Sequence, residues 1–187
     1  NNTWTAAFRC KDFGYNGEYN VSVYAEDNLV KETKFKWNAE SALAAFNSNQ
    51  EMYDLAQQFD SGSDYLILLD RSLHRVGIYQ GSKGKWREIY YWPCVVGMPE
   101  TPSPTGTYTI TWRKPYFGTS EYTCYWATNI TGSYYFHSQP YLPDSGPYEL
   151  DDPTMDAEAS HGCIRLYIEN AKWIYDNIPN GTLVYIY

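Results

Sequence analysis

Apolar and polar residues alternate with period two in the first part of the chain, a pattern that is typical of β-strands. The alternation runs over 18–25 and returns over 33–37, with a polar turn at 26–28 between the two runs. Two or three strands are too few to bury an independent core. We therefore expect residues 1–37 to be a β segment that is part of a larger structure.

Helical spacing replaces this alternation between residues 38 and 60. Asn38 can cap a helix, and the polar triplet at 47–49 can divide that helix into two. The apolar residues recur at helical intervals: Leu43, Phe46, Met52, Leu55, Ala56 and Phe59. A strong chain breaker follows at 61–63. We predict a helical connector over 38–62 that packs on the domain after it.

β-Strand signals dominate again from residue 64 onward. The apolar run at 65–69 has the composition of a buried strand. Further strands are predicted at 75–79, 86–96 and 107–112, with a rigid Pro-rich loop at 101–106 before the last of them. Short strands with regular turn signals favour a sandwich or a barrel.

A single helix and a last strand close the chain. One face of the helix carries the apolar residues Ala171, Ile174, Tyr175 and Ile178. Pro179-Asn180-Gly181 ends the helix, and 182–187 is predicted to be the final strand.

The composition argues against nucleic-acid binding and against a membrane-spanning segment. The 187 residues carry a net charge of −8, and nucleic-acid binding needs basic patches instead. The mean hydropathy is −0.56, and no apolar run approaches the roughly 20 residues that span a bilayer, so no transmembrane segment is expected in this chain. The 20 Tyr and 7 Trp residues favour β-structure.

Four cysteines occur, at Cys10, Cys94, Cys124 and Cys163, and no two of them form a Cys-x-x-Cys pair. The commonest redox and zinc-ribbon patterns are therefore absent. Cys94 and Cys124 lie in strand-like segments and could form a disulfide, although buried free thiols are the expected state.

The run Ser160-His161-Gly162-Cys163-Ile164-Arg165 contains the most informative chemistry. A second histidine, His137, lies upstream of it. Nucleophilic thiol chemistry needs a thiolate, a base and amides that face the developing oxyanion, and this segment can supply all three. Two other readings are open. Cys163 could be a buried structural thiol, or the three residues His137, His161 and Cys163 could bind zinc, although no fourth ligand at a suitable spacing is visible.

This run resembles the signature of the L,D-transpeptidases, the YkuD-like enzymes that cross-link bacterial peptidoglycan. That signature is a histidine, a spacer, and then Ser/Thr-His-Gly-Cys-apolar-Arg/Asn. The resemblance extends over 63–187, because the strand at 65–69, the Thr-Pro-x-Pro-Thr-Gly loop and strand at 101–108 and the closing helix and strand occur in the family's order. It implies a mainly β fold, a mixed β-sandwich with a C-terminal helix, in which 63–187 is the catalytic domain.

The segment before this domain has a resemblance of its own. Residues 1–37 resemble the end of an Ig-like wall-associated repeat, the GBS Bsp-like repeat, through the strand and turn that begin at Val21. Asn1 is not an initiator methionine, so we expect the chain to begin inside a longer protein.

The family's chemistry implies a role for Cys163 as nucleophile. Its thiolate would attack the bond between the third residue of a tetrapeptide stem and D-Ala, and an amine of a second stem would resolve the thioester. Peptidoglycan stem peptides are therefore the implied partners, and carbapenem-type inhibitors are expected to acylate the thiol. No cofactor and no metal are implied. The implied location is extracytoplasmic, either secreted or associated with the cell wall.

The resemblance also implies supporting roles around the thiol. His137 would be the base, and the carbonyl or the hydroxyl of Ser138 would hold its imidazole tautomer. His161 would either assist thiolate formation or be structural. The amides of Gly162, of Cys163 and of His161 are the implied oxyanion donors. Arg165 would lower the pKa of the thiol, order the loop, or form a structural ion pair.

Two rival functions stay open at this stage. An L,D-carboxypeptidase would form the same thioester and resolve it with water. A wall-binding module without activity would keep the motif as a vestige, although the intact cysteine, histidines and arginine argue against this.

The spacer between His137 and Ser160 contains 22 residues, 138–159, and is longer than is usual in the family. The extra length forms a Pro-rich insert at 141–159, and no Lys or Arg occurs between Lys114 and Arg165. The acidic residues of the insert are Asp144, Glu149, Asp151, Asp152, Asp156 and Glu158. They form either a solvated loop or a rim that attracts a cationic amine.

Overall fold

The computed structural model describes residues 17–25, 28–37, 50–143 and 145–187, and it divides into two compact units between 48 and 49. In the first unit, strands β1 (Gly17–Ala25) and β2 (Asn28–Trp37) form an antiparallel pair. Both predicted strands are confirmed, and β2 begins earlier than its alternation indicated. Of the predicted turn, residues 26 and 27 lie outside the described residues.

The second unit begins with helix α1 (Gln50–Ala56). The C-terminal part of the predicted connector is therefore helical, and its first part, 38–49, lies outside the described residues. Because α1 belongs to the same compact unit as the strands after it, it packs on the following domain as expected. The boundary at 62/63 stays a prediction.

Two mixed sheets build the rest of this unit. The five-stranded sheet contains β3 (Tyr65–Asp70), β4 (Arg75–Gln80), β5 (Arg87–Pro93), β7 (Gly106–Thr109) and β13 (Leu183–Ile186). Its order is β5-β4-β3-β13-β7, in which only β3 and β13 are parallel.

The six-stranded sheet contains the strands that place the motif. They are β6 (Val95–Gly97), β8 (Arg113–Gly118), β9 (Thr123–Thr131), β10 (Tyr134–Ser138), β11 (Ala157–Ser160) and β12 (Ile164–Leu166). Their order is β11-β6-β12-β10-β9-β8, and β12 runs parallel to β10. Helix α2 (Ile168–Asn177) follows β12 directly.

The main core lies between the two sheets and α2. Ile67 and Leu69 of β3 pack there with Phe136 of β10 and Ile164 of β12. Ala171, Ile174 and Ile178, three of the four predicted apolar positions of the closing helix, are buried in the same cluster. Burial of Phe136 and Ile164 anchors the two neighbouring strands that carry His137 and Arg165.

A second core cluster lies on the other face of β3. Leu66 and Leu68 alternate with Ile67 and Leu69, so they point away from the main core and contact α1 through Met52. This explains why 65–69 is apolar throughout: both of its faces are covered.

The sequence-based fold class, a mainly β sandwich with a C-terminal helix, is confirmed. Two strand boundaries differ from the prediction. The predicted strand 86–96 is two strands, β5 and β6, which belong to different sheets and are separated by Cys94; the strand predicted at 107–112 ends at Thr109. Cys94 and Cys124 are free, buried thiols. No helix in the described part of the chain is long and apolar enough to cross a membrane.

Candidate active site

The parallel pairing of β10 and β12 brings the two parts of the motif together. Phe136 is in register with Ile164, and His137 is in register with Arg165. The loop before β12 therefore lies beside the start of β10. There the thiol of Cys163 contacts the carbonyl oxygen of Ser133, with 3.6 Å between Sγ and O.

One pocket collects the predicted chemistry. Its walls include Cys163, His137, His161 and Arg165. The other lining residues come from β8, β9, β11, the insert and the positions just before β9 and the insert: Phe117, Tyr122, Cys124, Pro140, Asp151, Asp152 and Ser160. Four of the six predicted site residues thus share one cavity with the acidic insert.

The loop that carries Cys163 is held in shape by its own hydrogen bonds. The hydroxyl of Ser160 donates to the carbonyl of Cys163 (2.6 Å) and accepts from the N–H of Gly162 (3.0 Å). Gly162 has φ +107°, and a Cβ there would lie 2.4 Å from Cε1 of Tyr134. Only glycine fits this turn, since other residues are strained at such a φ.

The Pro-rich loop at 101–106 supports this turn from behind. The hydroxyl of the buried Ser103 donates to the carbonyl of Gly162 (2.9 Å) and accepts from the N–H of Gly97 (2.9 Å). The carbonyl of Ser103 accepts in turn from Arg71 (2.6 Å). The rigid loop therefore fixes the position of the thiol.

His137 is buried, and its tautomer follows from its contact with Ser138. Its Nδ1 lies 2.6 Å from the carbonyl oxygen of Ser138, which can only accept a hydrogen bond. Nδ1 is therefore the protonated nitrogen, and Nε2 carries the free lone pair. The hydroxyl of Ser138 is used elsewhere: it donates to the carbonyl of Gln139 and accepts from the N–H of Tyr125.

Burial keeps both members of the pair neutral at rest. It lowers the pKa of His137 to about 4, a shift that the Ser138 hydrogen bond opposes and the charges of Arg165 and Lys114 increase. It also raises the pKa of the Cys163 thiol, against the N–H of Tyr135 and the same two charges. An unprotonated imidazole can accept a proton, and the thiol still has one to give.

No hydrogen bond joins Cys163 to His137 among the described residues, although both line the pocket. Catalytic hydrogen bonds are often long without substrate and tighten in the complex. The arrangement therefore suits proton transfer during attack rather than a thiolate–imidazolium pair at rest.

The two histidines of the motif differ in their surroundings. His161 is exposed at the pocket wall, whereas His137 is buried. Of the loop amides, that of Gly162 is used by Ser160, while those of His161 and Cys163 have no hydrogen-bond partner within the described residues. Within the described residues, no group of three or more His, Cys, Asp or Glu side chains is arranged to hold a metal ion.

Arg165 binds the acidic insert. Its Nη1 lies 2.6 Å from Oδ2 of Asp152, and only 12% of its side chain is exposed. Burial alone would raise the pKa of Asp152, but hydrogen bonds from Thr154 and from Arg165 lower it overall. A second pair, Arg75–Asp156 (2.6 Å), holds the other end of the insert.

Several residues of the site escaped the sequence analysis. Ser103 was visible only as the variable position of the Pro-rich loop, and Lys114 only as the last cation before a long acidic stretch. Asp152 was one of six acidic residues without distinction. Their importance depends on contacts between residues far apart in the chain.

A neutral imidazole with a fixed tautomer and a half-buried thiol thus line one pocket of this two-sheet sandwich. The sequence model of the YkuD family, the L,D-transpeptidase catalytic domain, matches residues 64–186. The chain belongs to the L,D-transpeptidase family.

Individual relatives agree with this assignment. Putative L,D-transpeptidase YciB of Bacillus subtilis is 42% identical over 67 residues, which are 36% of this chain and 34% of that protein. The chain thus aligns with about a third of that relative's length. A fused Zn-dependent amidase/peptidase/peptidoglycan-binding domain-containing protein from Clostridium acetobutylicum has a similar structure (TM-score 0.64, 30% identity, 80% of this chain and 63% of that chain).

A third comparison shows the fold alone. The structure of the L,D-transpeptidase LdtMt1 in complex with imipenem has a TM-score of 0.50 at 22% identity, over 66% of this chain and 59% of that chain.

Proposed function

We propose that this protein is a peptidoglycan L,D-transpeptidase in which Cys163 forms a thioester with a tetrapeptide stem and an amine then takes the acyl group. The observation that carries the proposal is the pocket in which the half-buried thiol of Cys163 lies with a buried, neutral His137. Family membership supplies the substrate class.

In the first step, Nε2 of His137 accepts the thiol proton while Sγ of Cys163 attacks the carbonyl carbon before D-Ala. The carbonyl becomes an oxyanion, which the free N–H groups of Cys163 and His161 stabilise. When the oxyanion collapses, the C–N bond breaks and the proton on His137 passes to the departing amine of D-Ala. A thioester on Cys163 remains.

In the second step, the amine of another stem attacks the thioester and gives its proton to His137. The C–S bond breaks, the thiol is restored and a cross-link has formed. Water in place of the amine gives the carboxypeptidase reaction instead. The location that suits this substrate is extracytoplasmic, at the cell wall.

The test is mass spectrometry of the protein and of its products. A tetrapeptide stem with an amine acceptor should give a cross-linked product and free D-Ala, and a carbapenem should add its mass to the protein; imipenem binds LdtMt1, which shares this fold. Cys163→Ala should remove both results. Cys94→Ala and Cys124→Ala are matched controls that keep a thiol in the pocket and should retain the adduct.

The same assay separates the two histidines. His137→Ala should slow acylation in a single turnover by roughly 10²–10⁴-fold, the usual contribution of a general base. His161→Ala should be slowed less. An adduct on Cys163→Ala, or an inactive His161→Ala beside a fully active His137→Ala, contradicts the assignment; hydrolysed stem without cross-link identifies a carboxypeptidase.

A further inference from the structure

Three aromatic rings surround the ammonium group of Lys114 next to the pocket. Its Nζ lies 4.6 Å from the ring centroid of Tyr135, 4.7 Å from that of Phe117 and 5.7 Å from that of Trp112. Tyr135 also contacts both other rings, each at 5.5 Å between centroids. We call these four residues the Lys114 cluster. Cation–π contacts of this kind stabilise a fixed arrangement of rings.

The Lys114 cluster contacts the imidazole of the proposed reacting pair and acts electrostatically on the thiol. Phe117 lines the pocket and packs against the imidazole of His137, with 5.0 Å between ring centroids at 84°. Tyr135 lies two residues before His137 on β10, and its backbone N–H lowers the pKa of the Cys163 thiol. One lysine thus holds the ring beside the base and the residue whose amide faces the nucleophile.

The charge of Lys114 is also unusual for this region. Lys114 has no ion-pair partner in the described part of the chain, whereas the other cation near the thiol, Arg165, is neutralised by Asp152. A cation held on ring faces in a partly buried position acts over a longer range than a solvated one, because water screens it less.

We propose that Lys114 is a positioning residue for the acyl transfer: through Phe117 and Tyr135 it orients His137 and Cys163, and it supplies the uncompensated positive charge beside them. This inference rests on the proposed function, in which those two side chains react. Lys114 itself touches neither the thiol nor the imidazole and is not a catalytic residue.

Both reacting groups should respond to this charge in the same direction. The positive charge of Lys114 lowers the pKa of Cys163 and that of His137. The other titratable or charged groups that line the pocket around the pair are Arg165, Tyr122, Cys124, His161, Asp151 and Asp152. Loss of the Lys114 charge should therefore move both limbs of a pH–rate profile to higher pH.

The experiment compares Lys114→Met and Lys114→Arg with the parent protein. Methionine keeps most of the aliphatic length without the charge, and arginine keeps the charge and can stack on the rings. We measure the rate at which Cys163 is alkylated by iodoacetamide, a neutral reagent, and acylated by a carbapenem, each as a function of pH. Lys114→Met should shift the profiles upward by about 0.3–1 pH unit, the effect of one partly screened charge nearby.

Misplacement of the pair should add a loss of roughly tenfold in carbapenem acylation at the pH optimum. Lys114→Arg should restore most of both effects. The matched control is Lys172→Met, because Lys172 also lies over a ring, that of Trp126 (4.7 Å), and pairs with Asp176, but does not act on the pKa of either group. This control should leave both profiles unchanged.

Three outcomes overturn the proposal. A uniform loss of rate without a pH shift, which arginine does not restore, identifies Lys114 as packing only. Slower carbapenem acylation with an unchanged alkylation profile identifies a binding residue for the carboxylate of the ligand. Unchanged rates with both reagents leave Lys114 without a role at the site.

Failure of the proposed function has a different result. If the parent protein is alkylated normally at Cys163 but forms no cross-link, the proposed function is refuted. The pH profiles of alkylation still test the role of Lys114 in that case.

Discussion

At the residue scale, the burial of His137 stabilises one protonation state and costs stability at low pH. A histidine in water has a pKa near 6.5, and burial lowers that of His137 to about 4. Between these values the unfolded chain binds a proton that the folded protein does not. His137 by itself therefore lowers the free energy of unfolding as the pH drops from 6.5 to 4, so the proposed base also weakens the fold in acid.

The first prediction concerns this pH dependence. His137 should remove roughly 3 kcal/mol from the free energy of unfolding between pH 6.5 and pH 4. Denaturant unfolding at a series of pH values measures it. His137→Gln cannot titrate, so the free energy of unfolding of the parent should fall by this amount relative to that of the variant between pH 6.5 and pH 4. Glu88, whose pKa burial raises to about 7, changes stability in the opposite direction over this range, but it is present in both proteins and cancels in the difference.

A difference curve without slope between pH 4 and 6.5 would show that His137 titrates normally in the folded protein. In that case the imidazole is accessible to water, and the neutral resting pair that we describe does not form.

The candidate site could be proposed from the sequence because most of its residues are contiguous in the chain. The motif places Gly162 and Cys163 in one turn, and the order of the other motifs indicates His137 as the partner. What the sequence could not reveal is the environment of each group. The contact of Ser103 with Gly162 joins residues 59 positions apart, and no local pattern reports it.

At the element scale, helix α1 belongs to the same compact unit as the residues that match the family model. Met52 is fully buried against the outer face of the five-stranded sheet, above Gly77 of β4, where a Cβ would come within 2.7 Å of its sulfur. The side chain of Gln57, just after the helix, accepts from the N–H of Trp86 (2.9 Å) and donates to its carbonyl (3.1 Å). The helix and the turn before β5 are therefore fixed together.

The second prediction tests where the catalytic unit begins. A chain of residues 49–187 should fold with the stability of the full protein, whereas 63–187 should be markedly less stable, because it exposes Leu66, Leu68 and Trp86. Met52→Ala in the full chain should lower the free energy of unfolding by about 2–5 kcal/mol, the usual cost for a buried methionine. Chemical denaturation measures all three. Equal stability of the two shorter chains would place the boundary at 62/63.

The existence of elements with a clear apolar pattern was predicted more accurately than the residues at which elements begin and end. The run at 65–69 and the closing helix are present because both are strongly apolar on the faces that pack. The split of 86–96 at Cys94 was missed, although Pro93, the last residue of β5, is a local signal that interrupts a strand. That the chain then joins the other sheet depends on tertiary pairing, which no local signal reports.

At the scale of the whole molecule, two ion pairs decide which acidic residues of the insert can act on solutes. Asp152 is neutralised by Arg165 and Asp156 by Arg75, and both are structural contacts. The exposed carboxylates without an ion-pair partner among the described residues are Glu149, Asp151 and Glu158, and Asp144 lies outside the described residues. Asp151 lines the pocket itself. The predicted acidic rim is therefore smaller than the sequence suggested.

The third prediction is that this reduced rim recruits the acceptor amine. A cationic amine is attracted to Glu149, Asp151 and Glu158 over about one Debye length, roughly 8–10 Å at physiological salt. Changing all three to their amides should lower the ratio of cross-linked to hydrolysed product at low salt and leave carbapenem acylation nearly unchanged, because the thioester forms before the amine arrives. Raising the ionic strength should have the same effect on the parent protein and little on the variant.

The control for this prediction is the pair Asp152→Asn and Asp156→Asn. These changes remove two charges from the same insert but also release it from Arg165 and Arg75. They should lower the stability of the fold and slow acylation as well as cross-linking, since Arg165 borders the pocket. If the three-residue variant keeps the parent's product ratio at low salt, the exposed carboxylates only solvate the loop, and selection of the amine over water depends on the pocket walls near Cys163.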